Sequence, residues 1–243
     1  RTNVEGIRNL LTILDGSDTR LVHLSIDLVF SGTGSGDHVE RDHPDPVTRY
    51  GESMAAAERL VQMSDPRACI LRISLPMGVS FNGHAGEIDW IASRFKKSLP
   101  ATLYYDEVRT PTYTDCLNSL FEDVLQRPLK GIYHAGGPRK LSLFEIAQIV
   151  NLVGGYDPDL LQGCPRLEAG PMPPRAGNVT MDSGKLSDAL GYQPFAAWPL
   201  DETMVPTDRQ WHYRRNSQLV GSPELMAEVL TKRALGQDGC GLR

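Results

Sequence analysis

Leu21-Val22-His23-Leu24-Ser25-Ile26-Asp27-Leu28-Val29-Phe30-Ser31-Gly32 and, further on, Tyr50-Gly51-Glu52-Ser53-Met54-Ala55-Ala56-Ala57-Glu58 are the two segments on which the fold turns. Leu21–Ser25 is short and mostly apolar, as in strands buried within a parallel sheet. Residues 31–46 are rich in Gly, Asp and Pro and predict a loop, with Gly32, Gly34 and Gly36 as a flexible stretch. From Tyr50 to Met63 the composition turns helical, with Ala55, Ala56, Ala57 and Glu58 in mid-run. In a doubly wound sheet, ligands sit beyond the carboxyl ends of the strands. Residues 25–32 leave such an end, and Tyr50 opens the next helix, so its hydroxyl can reach the same crevice.

The same alternation extends outward in both directions. Val4, Ile7, Leu10, Leu11 and Leu14 recur at helical spacing, and Asp15-Gly16 closes that helix. Cys69–Ile73 and Ile132–His134 read as further strands, the latter ended by Gly136-Gly137. Gly86–Lys97 reads as an amphipathic helix. Thr114 or Asp115 can cap a helix running to about Gln126. Ser142-Leu143-Phe144-Glu145 is a capping box, and Asp182 is expected to cap a shorter helix that Gly191 ends. Residues 154–178 are proline-rich with little periodicity and predict an irregular lobe. Residues 222–234 predict a last helix with Ser222 as cap and Pro223 at its first position. Helices alternating with strands predict an α/β fold with a doubly wound parallel sheet.

Composition narrows the class. The chain has 243 residues, 40% hydrophobic and 23% charged, which excludes disorder as a class. A net charge of −5 argues against nucleic-acid binding through bulk charge. No run approaches the ~18 apolar residues of a membrane-spanning helix, so no membrane partner is expected. The start, Arg1-Thr2-Asn3, is neither a methionine nor a signal pattern. The four cysteines (Cys69, Cys116, Cys164, Cys240) match no zinc or disulfide framework, which suggests a reducing, cytoplasmic setting. The six histidines lack metal-ligand spacing, and no metal site is expected.

Ser25-Ile26-Asp27-Leu28-Val29-Phe30-Ser31-Gly32 and Tyr50–Glu58 resemble paired motifs of the extended short-chain dehydrogenase/reductase superfamily. The closest likeness is to dTDP-4-dehydrorhamnose reductases and their sugar-nucleotide relatives, which show S-T-D-Y-V-F-D-G and then Y-G-x-[ST]-K-x-x-x-E. Four further segments follow in the same order: Ile70–Ser74, Arg109–Asp115, Gly131–His134 and Asp182–Leu186. The resemblance covers about residues 3–202. It implies a Rossmann-type sheet domain from residues 1–79 and about 103–153. It implies a substrate lobe from 80–102 and about 154–215. The tail 216–243, with one helix, lies outside it and is expected to offer that helix to a partner.

The resemblance also implies roles. Tyr50 is the candidate proton donor. Ser25, Tyr50 and Leu75 would face the cofactor, NADP or NAD. Asp27, Arg109 and Thr112 would face a nucleotide-linked sugar. On the residues alone, Asp27 binds a ligand hydroxyl or ties down a turn, and Arg109 pairs with a diphosphate or forms an ion pair. Two departures bear on activity. The family's Lys, one helical turn past the Tyr, is Met54, and its hydroxyl residue is Ile26. An unassisted Tyr has a pKa near 10, and neither replacement offers a charge or a strong donor. Ser25 and Ser53 lie one residue from the required positions. The family's glycine-rich turn has no counterpart, so the likeness starts part-way through the cofactor domain: either a segment precedes it or the pyrophosphate site is lacking. Three functions follow: a sugar-nucleotide reductase or epimerase with impaired catalysis, a non-catalytic regulatory subunit (as the regulatory subunit of methionine adenosyltransferase resembles), or an interaction module that binds neither ligand. A homodimer or a partner enzyme fits each.

Overall fold

The computed structural model describes residues 2–78, 86–215 and 221–231. His84, Cys240, residues 80–85 of the expected lobe, and most of the tail lie outside these.

Helix α1 (Thr2–Leu14) is amphipathic and turns Ile7, Leu11 and Leu14 toward Leu21, Ala57, Val61 and Ile70. Gly16 adopts the left-handed conformation (φ 72°) that stops it. Strand β1 (Val22–Ile26) follows, then a single 3₁₀ turn at Asp27–Val29. Helix α2 (Arg49–Ser64) is capped by Thr48, whose hydroxyl accepts from the Gly51 amide. Gly51 is required for closeness: a Cβ there would run into the Leu28 carbonyl. Strand β2 (Cys69–Ile73) is the central strand of a parallel sheet, and its first four residues are buried. Strand β3 (Pro76–Met77), helix α3 (Glu87–Lys96), strand β4 (Ala101–Tyr104), strand β5 (Val108–Arg109) and strand β6 (Thr112–Tyr113) lead to helix α4 (Thr114–Gln126). Strand β7 (Gly131–Ala135) completes the sheet, in order β1-β2-β7. Strand β8 (Leu141–Ser142), helix α5 (Leu143–Val153), strand β9 (Leu161–Cys164), helix α6 (Gly184–Leu190) and helix α7 (Pro223–Thr231) follow.

The register Leu24↔Leu71↔Tyr133 and Ser25↔Arg72↔His134 aligns the three carboxyl ends. Among the described residues β1 is an edge, and Leu24 is exposed there. Outside this sheet the strands pair two by two: β3 with β6 and β4 with β9 in parallel, β5 with β8 antiparallel. The β4–β9 pair, with a bridge between Val108 and Asn178, gives the proline-rich stretch an anchor that sequence periodicity did not show, because β4 and β9 are only four residues long.

Several expectations change. Tyr113, not Thr114 or Asp115, occupies the cap position of α4, and Ser183, not Asp182, that of α6. The Asp182 carboxylate still accepts the Gly184 amide at 2.8 Å. The glycine stretch 32–36 is held, not loose. Gly177 donates to the Ser31 carbonyl, Asn178 to that of Gly32, and His38 to that of Thr180. Gly32 and Gly36 take φ of 68° and 78° so that this segment can lie against residues 177–180. The tail helix α7 also packs on its own chain. Its last carbonyls, Val229 and Leu230, accept from the Tyr113 hydroxyl (3.2 Å) and the Trp198 indole (2.9 Å).

Two polar contacts span the fold. Arg20 donates to the carbonyls of Val124 (2.6 Å), Leu125 (2.9 Å) and Arg127 (2.6 Å), groups that the end of α4 leaves without helical partners. At the sheet, Arg72 and Glu58 form a bidentate pair at 2.9 and 2.7 Å with both side chains at most 2% exposed. His134 completes it. Its Nδ1 faces the His38 carbonyl (3.0 Å) and must carry the proton, so its Nε2 accepts from Arg72 (3.3 Å). Burial, with Arg72 adding to it, pulls the His134 pKa down to about 4.

Replacing Arg20 by Ala should cost about 1–3 kcal/mol, read as a lower urea midpoint with an unchanged slope. His134 has a folded-state pKa below its ordinary value of 6.5, so its contribution is complete above pH 6.5 and is lost as the pH falls toward about 4. Urea unfolding across that window should show stability declining with acid, and His134→Gln should flatten this part of the profile.

Candidate functional site

The crevice at the carboxyl ends of β1 and β2 gathers most of the sequence-predicted residues. Asp27 opens the 3₁₀ turn after β1 and is 5% exposed. Its carboxylate accepts the Ser74 hydroxyl at 2.7 Å and faces the Arg109 guanidinium at 3.7 Å. Burial pushes its pKa up, while Arg109 and Ser74 pull it back. Arg109 in turn donates to the carbonyls of Val108 and Gly177, both at 3.1 Å, and lies 3.7 Å from Glu107. Both residues are thereby held in place by buried partners. Leu75 meets Thr112 through the backbone: the Thr112 amide donates to the Leu75 carbonyl at 3.0 Å. The hydroxyls of Ser25 and Thr112 are buried without a hydrogen-bond partner among the described residues.

Tyr50 stands apart from these groups. It lies in the first turn of α2, and 52% of it is exposed. Four residues on, Met54 is buried in an apolar cluster with Val29, Phe30, Ala55, Ala176, Val179 and Met181, and Ile26 packs against the same cluster. The two departures from the reductase motif are therefore one structural change, in which hydrocarbon occupies the place of an ammonium and a hydroxyl. These residues do not suit a nicotinamide ribose. Met54 has no donor, the Ser25 hydroxyl is sealed from solvent, and Tyr50 alone presents a polar group.

Beside Arg109 lies a cavity of about 240 Å³, lined by Leu28, Thr48, Glu107, Arg109 and residues 172–176. Glu107 is 1% exposed and holds Arg175 in a bidentate pair, with Nη2 at 2.9 Å. Arg175 also lies over the Tyr104 ring at 4.9 Å. Glu87, in the first turn of α3, senses both arginines, and burial raises its pKa. Glu107, Arg175 and Glu87 were not singled out from sequence. The proline-rich surroundings of Arg175 carry no periodic signal. The Arg72–Glu58 pair did leave one: a charged residue inside Cys69-Ile70-Leu71-Arg72-Ile73 must find a buried partner.

Sequence and structure comparisons meet at this geometry. Residues 1–202 match the family described as "RmlD substrate binding domain". The chain belongs to that family. It is 27% identical over 204 residues to the dTDP-4-dehydrorhamnose reductase of Aggregatibacter actinomycetemcomitans, covering 79% of this chain and 68% of that protein. It is 29% identical over 220 residues to methionine adenosyltransferase 2 subunit beta of Xenopus laevis, covering 86% of this chain and 65% of that one. The crystal structure of dTDP-4-dehydrorhamnose reductase from Bacillus anthracis, in complex with NADP, superposes with a TM-score of 0.72 at 23% identity, over 81% of this chain and 68% of that one. That likeness establishes the Rossmann-type fold. The chain spans about half of a Haloferax volcanii glycan biosynthesis reductase, at 52% of its length. No helix among the described residues is long and apolar enough to cross a membrane.

Arg109 compensates two buried carboxylates, Asp27 and Glu107. Arg109→Ala should therefore destabilise the protein by about 3–5 kcal/mol, well beyond the loss of a surface contact. Chemical denaturation checks this; a change within about 0.5 kcal/mol would mean the guanidinium is not holding the site.

Proposed function

We propose that this chain is a sugar-nucleotide reductase- or epimerase-like protein that binds a nucleotide-linked sugar but whose catalysis is impaired. The observation that carries this is the burial of Met54 in an apolar cluster, with half-buried Ile26 packed against it, near an exposed Tyr50. Tyr50 is the one group of the set that can give a proton. Met54 sets no ammonium beside it to assist the release of that proton, so transfer at neutral pH is inefficient. Asp27, Arg109 and Thr112 belong to the substrate side, Ser25, Tyr50 and Leu75 to the cofactor side. Thr48 and Arg175 join the former, since they line the cavity with Arg109. NADP or NAD is the cofactor class of the relatives, and a nicotinamide supplies hydride where it is bound. The residues of this chain hold it weakly. We place the protein in the cytoplasm, with residues 1–79 and about 103–153 as its sheet domain and 80–102 with about 154–215 as its substrate lobe.

A second reading is favoured by the likeness to methionine adenosyltransferase 2 subunit beta. Here the fold serves as a non-catalytic subunit of a partner enzyme, or as a homodimer, and the apolar cluster is then free of any catalytic demand.

Titration with a dTDP-linked 4-keto-6-deoxy sugar should show saturable binding, and NADPH oxidation with that ketone should run about 10²-fold or more below that of an intact catalytic set. In a polypeptide with a complete cofactor domain, Ile26→Thr with Met54→Lys should raise turnover. Activity that stays at background in the double variant, with folding verified by circular dichroism, favours the subunit reading. Wild-type turnover at the level of a full reductase would overturn the proposal.

A further inference from the structure

Residues 166–175 form a strap whose second half, Met172–Arg175, borders the cavity just described. Arg166 at one end is held by Asp106: its amide donates to Oδ1 at 2.8 Å and its guanidinium to Oδ2 at 2.5 Å. Arg175 at the other end is held by Glu107. Both ends of the strap are thus pinned to one dipeptide. Between the pins, among the described residues, the only hydrogen bonds are local: the Glu168 amide to Pro165 and the Ala169 amide to Arg166. Residues 167–175 are exposed except for half-buried Met172. A second cavity, of about 200 Å³, lies along the strap itself, lined by Arg166, Leu167 and residues 170–175. Met172 and Pro173–Arg175 line both cavities, so little packing holds this stretch to the body.

We propose that residues 167–174 form a gate over the Leu28–Thr48–Arg109 cavity, with Arg175–Glu107 as its latch and Arg166–Asp106 as its fixed end. The asymmetry of the pins assigns these roles. Arg166 is tied through its backbone as well as its side chain, and the side chain is 18% exposed. Arg175 is tied through its side chain only, which is 42% exposed and reached by solvent ions. Gly170, with φ 90° and open space where a Cβ would stand, supplies the bend. Opening leaves no buried charge alone. Glu107 keeps Arg109 at 3.7 Å when Arg175 departs, so the carboxylate has a partner in both states. A latch made of a part-exposed ion pair is weakened by salt, whereas the apolar core is not.

This inference rests on the reading that the cavity takes a ligand, but its test needs none. The thiol introduced by Leu28→Cys lies under the gate, and its alkylation by a maleimide can be followed peptide by peptide by mass spectrometry, apart from the native cysteines. We expect alkylation to accelerate about tenfold between 0.05 and 1 M salt, and by a similar factor at low salt when Arg175→Gln is added. Hydrogen exchange over residues 167–172 should rise in parallel, with the amides of β2 and β7 unchanged. Arg166→Gln should loosen the strap in both salt conditions alike. Alkylation that is already fast in the Leu28→Cys protein, or that ignores both salt and Arg175→Gln, overturns the gate while leaving the proposed ligand class untouched. Failure of nucleotide-sugar binding with a salt-responsive gate overturns the ligand class alone.

Discussion

The buried pair between Arg72 and Glu58 is the constraint around which the sheet end is built. Removing two charges from water is costly, and the cost is met only where every remaining hydrogen-bonding atom finds a partner. Glu58 takes both of its guanidinium contacts from Arg72, and Arg72 gives its remaining arm to His134. Phe30 covers the guanidinium at 5.1 Å and stacks on His38 at 3.9 Å. One ion pair thereby ties α2 to β2, β2 to β7, and the segment after β1 to both. The position of Tyr50 at the head of α2 is a consequence of that tie.

Around this frame, two groups of residues have divided the crevice. On the α2 side the packing is hydrocarbon, with Ile26 and Met54 joining Val29, Phe30 and Val179. On the β5 side it is ionic, with Asp27, Glu107, Arg109 and Arg175 in mutual reach. The first arrangement stabilises by burial but supplies no proton relay. The second stabilises only while each carboxylate keeps an arginine. The crevice therefore has one wall of carboxylates and arginines paired with one another and one apolar wall that offers no proton donor.

Much of the architecture was legible in order and type. The run Cys69–Ile73 is mostly apolar and its first four residues are buried on both faces, as suits a central parallel strand, and the capping box at Ser142 and Glu145 forms in both halves. The motif pair at 25–32 and 50–58, with the further segments that follow in the same order, named the superfamily. Cap positions shifted by a residue because a side chain within one step of the true cap can still reach the first amides, as Asp182 does. The glycines at 32, 34 and 36 looked free because composition reports only what the backbone can adopt. Their partner, residues 177–180, lies far along the chain.

By itself the sequence determined the alternation of helix and strand, the fold class, the family, and the loss of the Lys and hydroxyl positions. These follow from periodicity and residue type, which act over a few neighbours. The tertiary structure decided that Ile26 and Met54 share one apolar cluster, and that Asp27 and Arg109 spend their charges on each other. It also decided that Glu107 stands between two arginines and that a proline-rich stretch is pinned at both ends to one dipeptide. Each of these joins residues dozens of positions apart, and pairing across such distances is set by how the elements pack, which no local pattern encodes.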